Sequence, residues 1–516
     1  MAKKTYKTFA AIHLGSEMVS MQIIEYRNLN SMKLLEECNR RVRLGEETFK
    51  NKIIPFSMVS EICELLAGYK RLMTEYGVDE YSMQATTAVR EAANQVFLLD
   101  QIFIKTGLEI KVIDLPEEIY TKYTSIRRTL KLEGISGRGE NLLFLDISSG
   151  GLGITFVKDN AIKYQQNLHI GIIRVKESFN RNQRNSIKFN RALGEFLSGT
   201  MGPVKDAMRA ENLQYLVLSG AETELLLQML GITEKARVIR IKSTEFMELF
   251  HKAHTYNLSQ MIKVFNIRES AAELVLPTIL LYEQLLALVP ADEVVLTDDR
   301  FIDGIRLSHI GPKTDRDYAE ELHNEKLSLL YSIGEHYNYD PAHSKQVARL
   351  ALLMFDKLSK HHGMDEHSRL LLHAAALLHD IGKYVSLRSH SLYSYKLIMS
   401  TDILGFSEAD KEIIALASYY HAHRLFEGRD KEKPIIPSAL VPLVAKLAAL
   451  VRLADAMDRS YKQKITACRV NLKNDVMQIE AVSKNELSLE EWTFTQKAAF
   501  FEEVYGLKAE LERVEK

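Results

Sequence analysis

Residues 8–21 read TFAAIHLGSEMVSM, and the fold hangs on what this stretch is. Phe9-Ala10-Ala11-Ile12 make a short apolar strand, Leu14-Gly15-Ser16 a tight turn, and the continuation VSMQIIEY a second strand. Glycine in such a turn lets backbone N–H groups approach an anion closely, so a strand–Gly/Ser turn–strand hairpin is a device for cradling phosphate. The device recurs. Residues 141–169, NLLFLDISSGGLGITFVKDNAIKYQQNLH, run strand, Gly/Ser turn, strand, a turn at Lys158-Asp159-Asn160, and a third strand. Two copies in one chain predict two α/β domains facing a cleft, each offering a phosphate loop.

Around the first copy, the helical pattern SMVSEICELLAGYKRLMTEYG, a strand at YSMQATTAV, a helix near residues 91–106 and the strand LEIKVID alternate as an α/β domain does. The glycine-rich KLEGISGRGEN (131–141) reads as a linker or surface loop, and HIGPKTDRDYAEE carries the turn signals of a boundary. Beyond it apolar residues recur at i, i+3, i+4 and i+7, the period of helices. The tail ACRVNLKNDVMQIEAV predicts a β-hairpin turning at Asn474-Asp475, followed by an amphipathic helix. The expected architecture is α/β plus all-α. It places α/β domains over 1–130 and 131–312, a helical domain over 320–462, and a small C-terminal α+β hairpin-helix segment over 463–516.

A chain of 516 residues is too long for one core. Its net charge of −1 supplies no global basic field, which argues against nucleic acid as a partner. Cys38, Cys63 and Cys468 lie at spacings that suit neither a disulfide framework nor a zinc cluster, and fit a reducing cytoplasm. No apolar run approaches the ~18 residues of a membrane span, and the N-terminus lacks a signal-peptide core. A cytoplasmic protein without membrane attachment is expected.

The strongest chemical signal lies in the helical region. His379 and Asp380 adjoin in LLHDIGK, with His343 in PAHSKQVARL and Asp455 in VRLADAMDRS. Each breaks an otherwise apolar helical face. Imidazole plus carboxylate suits Mg, Mn, Fe or Zn and activates bound water for phosphoester hydrolysis. Separate helices delivering ligands to one point is how bundles build metal sites. His390, His421 and His423 are further candidates for substrate or second-metal contacts, whereas His373 reads as a core histidine.

Ordered motifs extend over nearly the whole chain. They are TTAVREAANQ (86–95), TGLEIKVIDLPEEIY, LLFLDISSGGLGI, LHIGIIRVKESF, LTDDRFIDGI, HSKQVARLALLMFDKL, AAALLHDIGKYVSLRSHSLYSYKLI, RLADAMDRS and ELSLEEWTFTQKAAFFEEVYGLKAEL. In this order they resemble the exopolyphosphatase / guanosine pentaphosphate phosphohydrolase family. The resemblance implies two actin-like, sugar-kinase-like (ribonuclease H-like) α/β domains before an HD-type helical domain. It implies release of terminal phosphate from polyphosphate or from guanosine penta- or tetraphosphate, by a homodimer using a divalent ion. That ion is Mg²⁺ in the cleft, with Mn²⁺, Fe²⁺ or Zn²⁺ open for the HD-type site at His343, His379, Asp380 and Asp455. Carried over by position, Arg90 pairs with phosphate, Glu118 with Glu117 beside it supplies the catalytic carboxylate, and Asp146 is the acidic residue opening the second loop. Gly15, Ser16, Ser149, Gly150 and Gly151 belong to the phosphate loops, and Gly171 and Arg174 keep a later Gly and Arg.

The departures fall in the cleft. Where the family's first loop reads D-x-G-S-N-S, this chain has His13-Leu14-Gly15-Ser16-Glu17-Met18. In the second loop, Ser148 and Ser149 replace glycines, Leu152 replaces Thr and Gly153 replaces Glu. Three readings stay open. The cleft still hydrolyses phosphoanhydrides; or chemistry resides at the HD-type site while the α/β half senses a ligand; or the protein binds polyphosphate or an alarmone without turnover.

Overall fold

The computed structural model describes residues 6–147, 151–168, 189–208, 211–220, 222–233, 236–256, 258–267, 278–283, 285–287, 289–423 and 433–515. The chain divides into two compact units, Met1–Lys326 and Leu327–Lys516.

The first unit contains two sheets built to one plan. In the first, β1 (Lys7–Leu14), β2 (Met18–Asn28) and β3 (Ser31–Arg41) form an antiparallel meander. Strand β4 (Glu80–Ala85) lies parallel beside β1, and β5 (Lys111–Val112) beside β4. In the second, β6 (Asn141–Ile147), β7 (Leu152–Lys158) and β8 (Ala161–Leu168) repeat the meander. There β9 (Leu213–Ser219) is parallel to β6, β11 (Ala291–Thr297) parallel to β9, and β10 (Val238–Lys242) antiparallel at the edge. The orders are β3-β2-β1-β4-β5 and β10-β11-β9-β6-β7-β8.

Strand β1 is apolar on both faces because both are covered. Ala10, Ile12 and Leu14 pack into a cluster with Ile62, Leu66, Leu98 and Ile102 from the helices Phe56–Glu75 and Gln95–Thr106. Phe9 and Ala11 pack on the other side against Ile302 and Ile305 of the helix Phe301–Thr314.

Several elements depart from expectation. The strand LEIKVID shrinks to Lys111–Val112, because Gly107 ends one helix in the left-handed conformation (φ 66°) and Asp114 caps the next. The segment HIGPKT is helical: the helix Phe301–Thr314 runs through Pro312 and breaks only at Asp315, whose carboxylate accepts Tyr318 N–H at 3.0 Å.

The second unit is helical at its centre. Helices Pro341–Lys357, Glu366–Leu378, His390–Ser400, Glu408–Tyr420 and Val441–Met457 pack on one another. Its tail holds the expected hairpin, β12 (Ala467–Lys473) and β13 (Val476–Val482), turning at Asn474 and Asp475, both in the left-handed region. Helix Ser488–Tyr505 follows, and a third strand, β14 (Lys508–Val514), which the sequence reading did not expect, pairs parallel with β13. No helix among the described residues is long and apolar enough to cross a membrane.

Candidate functional site

The β1–β2 turn closes on itself. Gly15 N–H donates to Met18 O at 3.0 Å, while the Ser16 and Glu17 carbonyls accept from Gly45 and Val42 at 2.9 and 2.8 Å. His13 folds back over this turn, so that a Cβ on Gly15 would lie 2.8 Å from its Cε1. Its Nε2 hydrogen-bonds Thr86 Oγ1 at 3.2 Å, and the ring packs against Phe301 at 4.6 Å. Burial, helped by the nearby Lys122 charge, lowers the His13 pKa to about 4, so the ring is neutral at neutral pH. Glu17 is exposed.

Arg90 ends the short helix Thr87–Arg90 and is held at three points. It donates to Ile113 O at 2.7 Å, to Thr87 Oγ1 at 3.1 Å and to Glu118 Oε2 at 3.0 Å. Glu118 lies in the first turn of the helix Leu115–Leu132, hereafter the cleft helix. Burial pushes its carboxyl above the ordinary value, against the pull of Arg90. Glu117 is engaged differently. Its Oε1 sits 2.5 Å from Lys111 Nζ and its Oε2 takes Asp114 N–H at 3.5 Å, the reach-back of a capping box. Of the two neighbouring glutamates, Glu118 is the one that meets Arg90.

From the second sheet, Asp146 Oδ1 accepts from Ser219 Oγ at 2.9 Å and from Lys122 Nζ on the cleft helix. Gly151 is buried, with a hypothetical Cβ 3.2 Å from Leu168 O. At Gly153 a Cβ would lie 2.8 Å from Ile119 Cδ1, so Ile119 of the cleft helix occupies the space of any side chain there. Gly153, Ile119, Tyr123, Phe144 and Asp146 line a small, mostly apolar cavity. The cleft helix also packs on Phe301–Thr314 through Gly304, whose Cβ would stand 2.1 Å from Thr121 O. Ser148, Ser149, Gly150, Gly171 and Arg174 lie outside the described residues.

In the second unit His343, His379, Asp380 and Asp455 come together, all buried. The turn at His379-Asp380 is seated by Ser394, whose Oγ accepts Gly382 N–H at 2.9 Å and donates to His379 O at 2.6 Å. His379 Nδ1 donates to Ala376 O at 2.8 Å, His421 Nδ1 to Ser418 O, and His343 Nδ1 pairs with Asp458 Oδ2 at 2.9 Å. A carbonyl can only accept, so His379 and His421 carry the proton on Nδ1 and turn a bare Nε2 inward. His343 Nε2 lies 3.7 Å from Asp380 Oδ2 and 3.5 Å from Asp455 Oδ1; His379 Nε2 lies 3.6 and 4.0 Å from the same atoms. Asp380 Oδ1 is also 3.6 Å from His390 Nε2, which is 3.4 Å from His421 Nε2.

Two triads therefore share Asp380: His343-His379-Asp380 and Asp380-His390-His421, the ligand atoms of each within 4.8 Å of one another. Lys383 and Tyr461 also hold Asp380 Oδ2, at 2.5 and 2.6 Å, and Lys497 holds Asp455 Oδ2 at 2.5 Å. Burial opposes charge on His343, yet the surrounding carboxylates of Asp455, Asp458 and Asp380 push its pKa up to about 9.

The family profile described as Ppx/GppA phosphatase family matches residues 23–311, and that of Ppx/GppA phosphatase, domain III, matches residues 328–512. The chain belongs to the Ppx/GppA phosphatase family. Among curated relatives, the bifunctional 3-dehydroquinate synthase/phosphatase of Fusobacterium nucleatum is 24% identical over 277 residues, 50% of this chain and 39% of that protein, so this chain spans well under half of that relative. The guanosine-5'-triphosphate,3'-diphosphate pyrophosphatase of Vibrio atlanticus is 21% identical over 414 residues, 79% of each chain. Among solved structures, an exopolyphosphatase from Cytophaga hutchinsonii superposes with a TM-score of 0.51 at 17% identity, covering 59% of this chain and 98% of that one. This likeness carries the fold alone, over the 59% of the chain that it covers.

Ppx/GppA enzymes typically depend on divalent metal. The second unit fits such an ion, because His343 Nε2 and His379 Nε2 are fully buried with no hydrogen-bond partner among the described residues. The described residues around Arg90 and Glu118 in this Ppx/GppA member do not. His13 is spent on Thr86 and Phe301, the space at Gly153 is filled by Ile119, and Asp146 already holds Lys122. Among the described residues, no carboxylate cradle stands ready there for the expected Mg²⁺. Lys122, Asp458, Tyr461, Lys383 and Lys497 escaped the sequence reading. For Lys122 a signal existed: it stands one helical turn after Glu118 on the same helix face, whereas Asp458 caps the C-terminus of the helix that carries Asp455.

Proposed function

We propose that this protein is a phosphohydrolase releasing terminal phosphate from inorganic polyphosphate or guanosine pentaphosphate, in a cleft between the segments 1–130 and 131–312. The observation that carries this reading is the Arg90–Glu118 pair at 3.0 Å, with the Glu118 carboxyl raised by burial. Names of relatives support the substrate class: one is a guanosine-5'-triphosphate,3'-diphosphate pyrophosphatase and another an exopolyphosphatase.

In this reading the Arg90 guanidinium binds the terminal phosphate, whose oxygens match its fork. Glu118 takes a proton from the attacking water as the water oxygen bonds to phosphorus. The bridging P–O bond breaks, leaving orthophosphate and a chain one phosphate shorter. A carboxylate with a raised pKa is the better base near neutral pH. Glu117 serves the same site by capping the cleft helix that carries Glu118.

His343, His379, Asp380 and Asp455 would hold a divalent ion of the Mn²⁺, Fe²⁺ or Zn²⁺ kind in an HD-type domain over 320–462. Such an ion supplies Lewis acidity and an acidified bound water. The three Nδ1 anchors aim the imidazoles, and Lys383, Tyr461 and Lys497 hold the carboxylates in place. Homodimer assembly in the cytoplasm belongs to the same proposal.

The test is orthophosphate release from long-chain polyphosphate and from guanosine pentaphosphate by the full chain. Release from either substrate is expected, and release from neither overturns the reading.

A further inference from the structure

Lys122 stands one turn beyond Glu118 on the cleft helix and reaches Asp146 on the second sheet. Both side chains are only 13% exposed. The lysine's positive charge is also felt at Glu118 and at His13.

Around it, the positions at which the family resemblance places metal-side carboxylates are closed to a cation. His13 is a neutral ring covering Gly15, and Gly153 has Ile119 where a side chain would go. Of the described anions nearby, Glu118 is matched by Arg90 and Asp146 by Lys122. Two to three turns farther along the cleft helix, Ser125 and Thr129 donate to Asp299 Oδ1 at 2.5 and 3.0 Å, away from the Arg90–Glu118 pair. Mg²⁺ needs near-octahedral oxygen ligation, and a carboxylate that already holds an ammonium group offers a second cation repulsion as well as an oxygen. A phosphate chain meets the opposite situation. An ammonium group has three donors and can keep Asp146 while taking a phosphate oxygen.

We propose that Lys122 is a cation built into the cleft, which binds the phosphate chain together with Arg90 without a divalent ion. The inference rests on the reading that the cleft takes phosphoanhydride chains, and it names the group that neutralises them.

The test is calorimetric binding of methylenediphosphonate, whose P–C–P bridge resists hydrolysis, to the full chain in EDTA and in Mg²⁺. Wild type is expected to bind equally well in both. Lys122→Met should weaken binding about tenfold or more, the scale of a lost charged hydrogen bond, and Lys122→Arg should restore most of it. Asp146→Asn, which releases Lys122 from its partner, should tighten binding in EDTA, and it carries the test if Lys122→Met does not fold. Wild-type binding that requires Mg²⁺, or unchanged binding by Lys122→Met, overturns the inference and leaves the proposed function standing. Absence of binding in both media, or binding indifferent to Arg90→Ala, overturns the cleft reading itself.

Discussion

Arg90 Nη1 lies 3.0 Å from Glu118 Oε2, and the same guanidinium is braced by Ile113 O and Thr87 Oγ1. The pair joins the end of one helix to the first turn of another, so neither side chain is free to wander. In the proposed function an incoming phosphate would meet a guanidinium already pointed and a carboxylate already desolvated.

Arg90→Ala should therefore raise KM for polyphosphate by about tenfold to a hundredfold, the scale of one charged hydrogen bond lost. Arg90→Lys should recover part of it, since an ammonium group keeps the charge but not the fork. Steady-state kinetics check this, and an unchanged KM in Arg90→Ala contradicts it.

In the proposed mechanism Glu118 can act as a base only when ionised, and burial raises its pKa above that of an ordinary carboxylate. The acidic limb of the kcat/KM profile should accordingly lie above pH ~4.5, the carboxylate's ordinary range. In Arg90→Ala the guanidinium no longer favours the charged form, so the limb should move to still higher pH. A limb that moves to lower pH in that variant would reverse the assignment.

Gly304 and Gly153 of the first unit are closed to side chains. Gly304→Ala drives a Cβ into Thr121 O, a backbone atom of the cleft helix, and should destabilise by about 1–3 kcal/mol as overpacking does. Gly153→Glu sets a side chain against Ile119 and should lower the melting temperature rather than create a metal site. Thermal unfolding of both variants tests this; a Gly153→Glu protein as stable as wild type and newly Mg²⁺-binding speaks against the packing argument.

The second unit should purify with Mn, Fe or Zn, measurable by elemental analysis. His379→Ala or His343→Ala removes a buried Nε2 and should abolish the bound metal, whereas His373→Ala should not. Metal bound to the native state alone also raises the melting temperature, so EDTA should lower it in wild type and not in His379→Ala.

Much of this was legible in the residues. The run Phe9–Ile12 is apolar at every position because β1 is covered on both faces, and its counterpart at 142–145 repeats it in the second sheet. His343, His379, Asp380 and Asp455 stood out as polar breaks in apolar helices. Their anchors were harder to see, since Ala376 O and Ser418 O are backbone atoms without a residue-type signature. Lys122 was missed because its meaning lies across the fold, at Asp146. Strand β14 was missed because KAELERV is short and mostly charged, with Glu512 and Arg513 adjacent, and none of its side chains is buried.

The central claim is that Glu118, and not its neighbour Glu117, is the base. Glu118→Gln and Glu117→Gln differ from wild type by one atom type each, and Glu117 caps the helix while Glu118 faces Arg90. Orthophosphate release from polyphosphate by the two variants, at matched folded fraction, measures this directly. The account predicts a loss of about 10²–10⁴-fold in kcat for Glu118→Gln and near wild-type turnover for Glu117→Gln. Undiminished release by Glu118→Gln would contradict it.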